Sequence, residues 1–400
     1  RKCASVGIFV LSLYFETGSL FLNVLWKSLP ISRRYDGIMS TRGHNVLKQK
    51  YMLSKKFDGD DIRRLHRMIK DATRIVLTCH VRPDGDAIGS TLGLAHLFNS
   101  IGKKASVVTP DIPPRSLSFL PDSKEIVAYT KYPDFARRLI KDADLIVCCD
   151  FNKLSRLDSL DALIKEAECE KVLIDHHQFP DCFTDITFSC PEMSSTCELA
   201  FRLVCEIGMY QDLSVDAATC LATGLITDTR NFSVNCSDPE VYVVLIKLLE
   251  KGVDKPKIVR EALEVKSLDC LRLQVYALND KLEIFDRHRA AIITLDKEEL
   301  RRFNYQKGDT EGLVNIPLTV EGISYCVLMR EDEDCIKVSA RSINSFPVSK
   351  ICEDLYGGGG HIMAAGGEFK GTLEDCRKML VEAMPSYDEF IRTNTARDNH

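Results

Sequence analysis

Short apolar runs that lack polar alternation constrain the fold more than any other feature of this sequence. Three clear examples lie at 74–79, 144–149 and 171–174. Strands without polar alternation are buried on both faces, which is typical of a parallel sheet covered by helices. Helical patterns at 59–72 and 86–100 flank the first run. We therefore predict an α/β domain with a parallel sheet and helices on both faces.

In the last third of the chain the predicted strands and helices do not follow the pattern of the first domain, which predicts a smaller α+β domain. Its strands are predicted at 290–294, 324–329 and 336–340, and its helices at 296–303, 347–355 and 372–384. The predicted parts are an N-terminal segment outside the fold (1–56), the α/β domain (57–250), a helical connector (251–281), the smaller domain (282–390) and a tail (391–400).

The N-terminal segment contains an apolar stretch, 7–26, that is about as long as a membrane span and carries one charge, Glu16. A signal peptide or anchor is one interpretation. Glu16 and Thr17 interrupt the stretch, however, and Met39 offers a natural start. We therefore expect residues 1–38 to lie upstream of a cytoplasmic protein that has no membrane partner. The 16 scattered cysteines, which form no CxxC pair, favour reduced core residues in the same compartment.

The net charge of −5 excludes the broad basic field that holds long duplex nucleic acid. Any polyanion that binds must be attracted by local charges or by metal ions.

Polar residues follow each apolar run, at the edge where a parallel sheet binds its ligands. They are His80, Asp84 and Asp86 after the first run, Asp150 after the second, and Asp175, His176 and His177 around the end of the third. Asp228 follows an apolar helix. Carboxylates and imidazoles suit Mn²⁺, Mg²⁺, Co²⁺ or Fe²⁺. Two such ions would offset the repulsion among four aspartates and form a two-metal site for displacement at phosphorus.

Each motif also has a structural interpretation. Asp86 could simply cap the helix over 87–100, and the His176–His177 pair could be a structural turn. The convergence of three strand ends and one helix end on the same chemistry favours the metal site.

The motifs resemble, in order, those of the DHH phosphoesterase family. They are HVRPDGDAIGS (80–90), CCDFN (148–152), IDHH (174–177) and ATGLITDTRNF (222–232). The segment YGGGGHIMAAG (356–366) resembles the nucleotide-binding signature of the associated domain of the first type. The resemblance covers roughly residues 59–385. One departure is Arg230, where the family pattern leads us to expect a small residue such as glycine.

The resemblance implies a role for each matching residue. One ion, usually Mn²⁺, is held by His80, Asp84 and Asp150, and the second by Asp86, Asp150, His176 and Asp228, with Asp150 bridging. His177 stabilises the substrate phosphate or acts as general acid, and Asp175 orients its neighbours. A water activated by both ions attacks phosphorus.

The smaller domain is expected to bind substrate through Gly358, Gly359, Gly360, His361 and Arg341. Backbone N–H groups of the glycines can approach a phosphate or base, and a guanidinium can bind two phosphate oxygens. The alternatives are a flexible turn for the glycine run and a solvated arginine for Arg341.

The chain is only long enough for two domains and leaves no room for further nucleic-acid-binding modules, which favours very short substrates. The leading hypothesis is an enzyme that trims oligoribonucleotides and removes the 3′-phosphate of adenosine 3′,5′-bisphosphate; the alternative is a cyclic di-AMP phosphodiesterase. A manganese pyrophosphatase would carry a different second domain, and a RecJ-type exonuclease would carry additional nucleic-acid-binding modules. A non-catalytic nucleotide sensor or a structural metal protein belongs to another class, which the intact ligand set disfavours. Oligomeric state is left open, with a homodimer as one option.

Overall fold

The computed structural model describes residues 53–395, with side chains through residue 391. The predictions for residues 1–38, including the apolar stretch at 7–26, lie outside the described residues. Within the described part of the chain, no helix combines the length and the apolar composition needed to cross a lipid bilayer.

The first domain is built on a six-stranded sheet in which every neighbouring pair is parallel. Its order is β3-β2-β1-β4-β5-β6. The strands are β1 (Arg74–Thr78), β2 (Lys104–Thr109), β3 (Val127–Ala128), β4 (Leu145–Cys149), β5 (Glu170–Asp175) and β6 (Ile186–Ser189). The predicted parallel sheet is confirmed. The sequence patterns missed the two edge strands, β3 and β6, because they are too short to form clear apolar runs.

Helices cover both faces of this sheet. They are α1 (Gly59–Asp71), α2 (Gly85–Ser100), α3 (Pro133–Lys141), α4 (Asp161–Glu166), α5 (Thr196–Glu206), α6 (Val215–Asp228) and α7 (Pro239–Glu250). Ile75 and Leu77 of β1 pack into the core beneath α2, α5 and α6, whereas Val76 packs into the opposite core beneath α3 and α4. Burial on both faces explains why the strand shows no polar alternation.

The order of the strands creates a crevice at the carboxyl ends of β1 and β4. The chain passes from β1 outward through β2 to β3, and then returns to β4 on the other side of β1. Loops that leave neighbouring strands in opposite directions open a gap between them, where open α/β sheets bind ligands. Residues that follow β1, β4 and β5 therefore share one edge of the domain.

The residues that directly follow α7 still pack against the core of the first domain. Val253 and Ile258 contribute to its core. The helices that follow are α8 (Lys255–Val259), which continues as one π-helical turn through Arg260–Glu264, and α9 (Leu268–Asp280).

The second domain contains a mixed six-stranded sheet of order β11-β12-β10-β9-β8-β7. Its strands are β7 (Leu282–Phe285), β8 (Ala290–Leu295), β9 (Tyr325–Glu331), β10 (Ile336–Ser342), β11 (Gly359–His361) and β12 (Ala364–Phe369). Its helices are α10 (Lys297–Arg302), α11 (Val348–Tyr356) and α12 (Leu373–Thr395). Only β8 and β9 pair in parallel. The predicted α+β domain is confirmed, and its last helix runs beyond the predicted end at residue 384.

The glycine run forms an edge strand and not a flexible turn. Gly359, Gly360 and His361 pair with β12. A Cβ at Gly358 would lie 2.0 Å from the carbonyl oxygen of Gly366, so only glycine permits this approach of two backbones. The flexible-turn interpretation is wrong. An edge strand keeps the backbone groups of its outer side available to a ligand.

Candidate active site

The predicted ligands converge at the crevice between the ends of β1, β4 and β5. Their ligand atoms form three groups, within each of which all atoms lie within 4.8 Å of one another. The groups are His80 with Asp84 and Asp150, Asp86 with His176 and Asp228, and Asp150 with His176 and His177.

Asp150 lies at the centre of the cluster. It follows β4 directly, is 2% exposed and adopts a left-handed backbone with φ of 64°. Its Oδ2 is 3.4 Å from Nε2 of His80, and its Oδ1 is 3.6 Å from Nε2 of His176. The two oxygens of one carboxylate thus face two different histidines, which is the arrangement that a bridging ligand needs.

Asp84 is at once the N-cap of α2 and a member of the first ligand group. Its Oδ1 accepts hydrogen bonds from the backbone N–H groups of Asp86 (3.0 Å) and Ala87 (3.1 Å). Its Oδ2 lies 4.0 Å from Nε2 of His80. The cap fixes one carboxylate oxygen and leaves the other directed at the cluster.

Asp86 is fully buried and does not cap its own helix, so the capping alternative is wrong. Its carboxylate instead accepts from the backbone N–H groups of Thr196 (2.6 Å) and Cys197 (2.9 Å), at the start of α5. The open N-terminus of a helix stabilises a negative charge. His176 Nε2 lies 3.9 Å from Asp86 Oδ2 and 3.4 Å from Asp228 Oδ2, which completes the second group.

Both ligand histidines are oriented by backbone carbonyl groups. Nδ1 of His80 lies 2.7 Å from the carbonyl oxygen of Val81, and Nδ1 of His176 lies 3.3 Å from that of Met193. A ring that donates from Nδ1 presents the lone pair of Nε2, the form in which imidazole binds a metal ion. In both residues Nε2 points at the aspartates.

The positively charged groups of the protein do not stabilise the negative charges of the clustered carboxylates equally. Burial and then Asp150 raise the pKa of Asp86 to about 7. Burial and then Asp86 raise the pKa of Asp228 well above its ordinary value. Burial would also raise the pKa of Asp150, but His80 and His176 outweigh it and lower that pKa. Asp86 and Asp228 therefore lack the positive charge that two cations would supply.

The donor set fits divalent metal ions. It contains carboxylate oxygens and imidazole nitrogens, which are ligands of Mg²⁺, Mn²⁺ and related ions. No cysteine belongs to the three ligand groups of the described residues, and burial raises the pKa of Cys79, Cys149 and Cys197 well above the ordinary thiol value. The predicted core placement of Cys79, Cys148 and Cys149 agrees with their full burial.

His177 is held between two partners that the metal ligands do not use. Its Nδ1 lies 2.8 Å from Oδ1 of Asp175, which is fully buried. Its Nε2 lies 3.2 Å from Nη1 of Arg156, in the 3₁₀ turn Leu154–Leu160. Arg156 was missed in the sequence because a lone arginine in a polar turn gives no pattern.

Two further residues belong to the site: Thr196, which the sequence pattern did not identify, and Arg230, which it marked as a departure from the family pattern. Thr196 donates from Oγ1 to Oδ1 of Asp150 at 3.0 Å, and an isolated threonine gives no signal either. Arg230 has a left-handed backbone with φ of 45°, which explains why a glycine is expected there. Burial, then the like charge of Arg230, lowers the pKa of Arg341 in the second domain. Arg230 therefore acts electrostatically across the crevice.

The second domain closes the other side of the crevice. The His361 ring stacks on that of His177 with centroids 6.5 Å apart and an interplanar angle of 23°. A cavity of about 340 Å³ lies beside the two rings and is lined by, among others, His176, His177, Gln178, Met193 and His361. This volume is at the lower end of the range for small-molecule sites. Nε of Arg341 is buried without a hydrogen-bond partner among the described residues.

Comparison with known proteins agrees with this architecture. The model of the DHH family, N-terminal domain, matches residues 74–225, and that of the DHHA1 domain matches residues 290–387.

The bifunctional oligoribonuclease and PAP phosphatase NrnA of Thermus thermophilus is 32% identical to this chain over 311 residues, which span 78% of this chain and 89% of that protein. The cyclic-di-AMP phosphodiesterase PdeA of Listeria monocytogenes is 26% identical, and the chain spans 49% of its length. The crystal structure of an exopolyphosphatase-related protein from Bacteroides fragilis is 40% identical, with a TM-score of 0.83, and the match covers 85% of this chain and 100% of that one.

Proposed function

This chain belongs to the DHH family of phosphoesterases, and its DHHA1 domain lies across the crevice from the metal-ligand cluster. We therefore propose that it hydrolyses short oligoribonucleotides to mononucleotides. We propose that it also removes the 3′-phosphate of adenosine 3′,5′-bisphosphate. The observation that carries the proposal is the position of Asp150, whose two oxygens face His80 and His176. The similarity to the Thermus protein, which extends over 89% of that protein, supports the substrate class.

Two divalent ions would be held by the residues that lie in the two flanking groups. His80, Asp84 and Asp150 would hold one, and Asp86, Asp150, His176 and Asp228 the other. Bound there, the ions supply charge that polarises a phosphoryl group and lowers the pKa of water. We propose Mn²⁺ because a mixed set of imidazole and carboxylate ligands suits it better than Mg²⁺, which prefers oxygen ligands.

The chain's own residues bind and orient the phosphate. Asp175 fixes Nδ1 of His177, and Arg156 contacts its Nε2 at the edge of the crevice. We assign His177 to the scissile phosphate, as a stabiliser or as the acid that protonates the leaving oxygen. Arg341, the outer edge of Gly358–Gly360 and His361 would bind the remainder of the substrate from the second domain. The unpartnered Nε of Arg341 is available to a phosphate oxygen.

The dimensions and charge of the site favour short substrates. A cavity of about 340 Å³ beside the cluster is large enough for a mononucleotide. A net charge of −5 does not favour the binding of long strands. We further propose that the protein acts in the cytoplasm and that it can form a homodimer. The proposed limits are 57–250 for the first domain, 251–281 for the connector and 282–390 for the second domain.

A substrate panel tests the proposal. Dinucleotides, five-mers, longer RNA, adenosine 3′,5′-bisphosphate and cyclic di-AMP should be assayed side by side in Mn²⁺. We expect dinucleotides to give the highest kcat/KM, with longer RNA lowest. Preference for cyclic di-AMP over dinucleotides would contradict the proposal and select the cyclic dinucleotide phosphodiesterase.

A further inference from the structure

Phe179 is an exposed aromatic residue directly beside the candidate active site. It is 79% exposed and follows His177 by two residues, so their Cα atoms are at most about 7 Å apart. Its neighbour Gln178 lines the cavity that contains His176, His177 and His361. A phenyl ring at this position costs free energy in water unless it contacts something.

The backbone of Phe179 is strained. Its φ is 59°, in the left-handed region that a bulky side chain rarely adopts. Such outliers persist where the surrounding structure fixes them, and they concentrate at functional sites.

Hydrogen bonds on both sides hold this strained residue in place. Nδ2 of Asn152 donates to the carbonyl oxygen of Gln178 at 2.6 Å, and the backbone N–H of Asp181 donates to the carbonyl oxygen of Asn152 at 2.7 Å. Asn152 itself lies two residues after Asp150. The segment that carries Phe179 is therefore fixed to the strand end that positions the central ligand.

Phe179 has no packing role that would explain it. Phe183, further along the same segment, stacks on the buried Phe151 with centroids 5.9 Å apart and supplies the hydrophobic anchor. Among the residues whose side chains are described, no aromatic ring or cation lies over the ring of Phe179. Phe183 thus packs against the core, whereas Phe179 faces solvent beside the metal-ligand cluster.

We infer that Phe179 is a stacking platform for a nucleobase of the substrate, next to the phosphate that His177 contacts. The inference deepens the proposed function and rests on it. Base stacking on aromatic side chains is how proteins bind unpaired nucleotides, and it tolerates any base. A backbone that is already fixed loses little conformational entropy on binding, so this anchored segment is suited to carry a platform.

Product inhibition measured with the Mn²⁺-loaded full chain tests the inference. The probes are AMP and ribose 5-phosphate, which share a sugar and a phosphate and differ in the base, in an assay with bis-p-nitrophenyl phosphate. Loss of one stacked base predicts that F179A raises the inhibition constant of AMP by about tenfold, while that of ribose 5-phosphate stays unchanged. F179W should restore AMP inhibition, since its ring also stacks.

The matched control is F135A, which removes another exposed phenylalanine, on α3, outside the residues that line the cavity. It should behave as wild type. An F179A enzyme with unchanged AMP inhibition, or with equal losses for both probes, contradicts the stacking role; the former outcome would fit a protein partner for Phe179. If the wild type cleaves no dinucleotide, the proposed function fails, yet the contrast between AMP and ribose 5-phosphate still decides the role of Phe179.

Discussion

Nη1 of Arg156 lies 3.2 Å from Nε2 of His177. A guanidinium is always protonated and can only donate, so it holds the imidazole with its Nε2 lone pair toward Arg156. Arg156 thus acts through His177 in the free protein.

The first prediction concerns this arginine as a positioning residue. R156A should lower kcat by up to about a hundredfold, because the contact that holds His177 in its orientation is removed. R156K should recover only part of the loss, since an ammonium lacks the planar fork. Added guanidinium chloride should restore activity to R156A but not to H177A. Absence of rescue together with a lowered melting temperature would indicate a purely structural role.

The second prediction separates the bridging carboxylate from the substrate-binding arginine. D150A should reduce kcat by about a thousandfold or more, because several kcal/mol of charge stabilisation are lost from both ion positions. R341A should mainly raise KM. Steady-state kinetics with a dinucleotide distinguish the two, and R137A on the surface is the control. Comparable losses in kcat for D150A and R341A would refute the assigned roles.

The third prediction concerns metal binding and pH. In the metal-free protein the pKa of Asp86 is raised to about 7, so the folded state keeps a proton that the unfolded carboxyl has released. Its contribution to stability therefore falls as pH rises from about 4 through about 7. Asp150, whose pKa is lowered, acts in the opposite sense below this window.

Divalent ions bind the deprotonated carboxylates. The difference in melting temperature between the Mn²⁺ form and the form in chelator should therefore widen from about pH 5.5 to about pH 8. In chelator, D86N should show a flatter dependence than wild type over the same range. A difference that narrows as pH rises would contradict the electrostatic account of the cluster.

The fourth prediction tests the close packing of α2 against α6. A Cβ at Gly224 would lie 2.2 Å from Sγ of Cys197 and 2.6 Å from Oδ1 of Asp86. G224A should therefore displace Asp86, lower the free energy of unfolding by roughly 1–3 kcal/mol and weaken Mn²⁺ binding. Urea unfolding and a metal titration measure the two effects.

G59A is the matched control, because its added Cβ meets only the flexible end of Arg63. Its unfolding free energy should stay within about 0.5 kcal/mol of wild type. Equal behaviour of G224A and G59A would show that the α2–α6 contact tolerates a methyl group.

Several site features could be predicted because their signals are local. Apolar runs without polar alternation mark strands buried on both faces, and parallel strands end at one edge of a sheet. His80, Asp150 and His176 follow such runs, so their proximity can be predicted from the sequence. The resemblance to the family's motifs also predicts which residues hold each of the two ions. That assignment remains a prediction.

Other features of the site depend on contacts between residues far apart in the chain, which no local pattern reveals. Asp86 binds the start of α5, more than a hundred residues away. The glycine run became a strand because β12 lies against it. Arg156 reaches His177 only because the turn after β4 folds over the end of β5. The sequence was enough to predict the long buried strands, the domain classes and the chemistry of the ligands, because apolar runs and residue types are local properties. Folding decided which atoms face one another, because packing brings distant segments together.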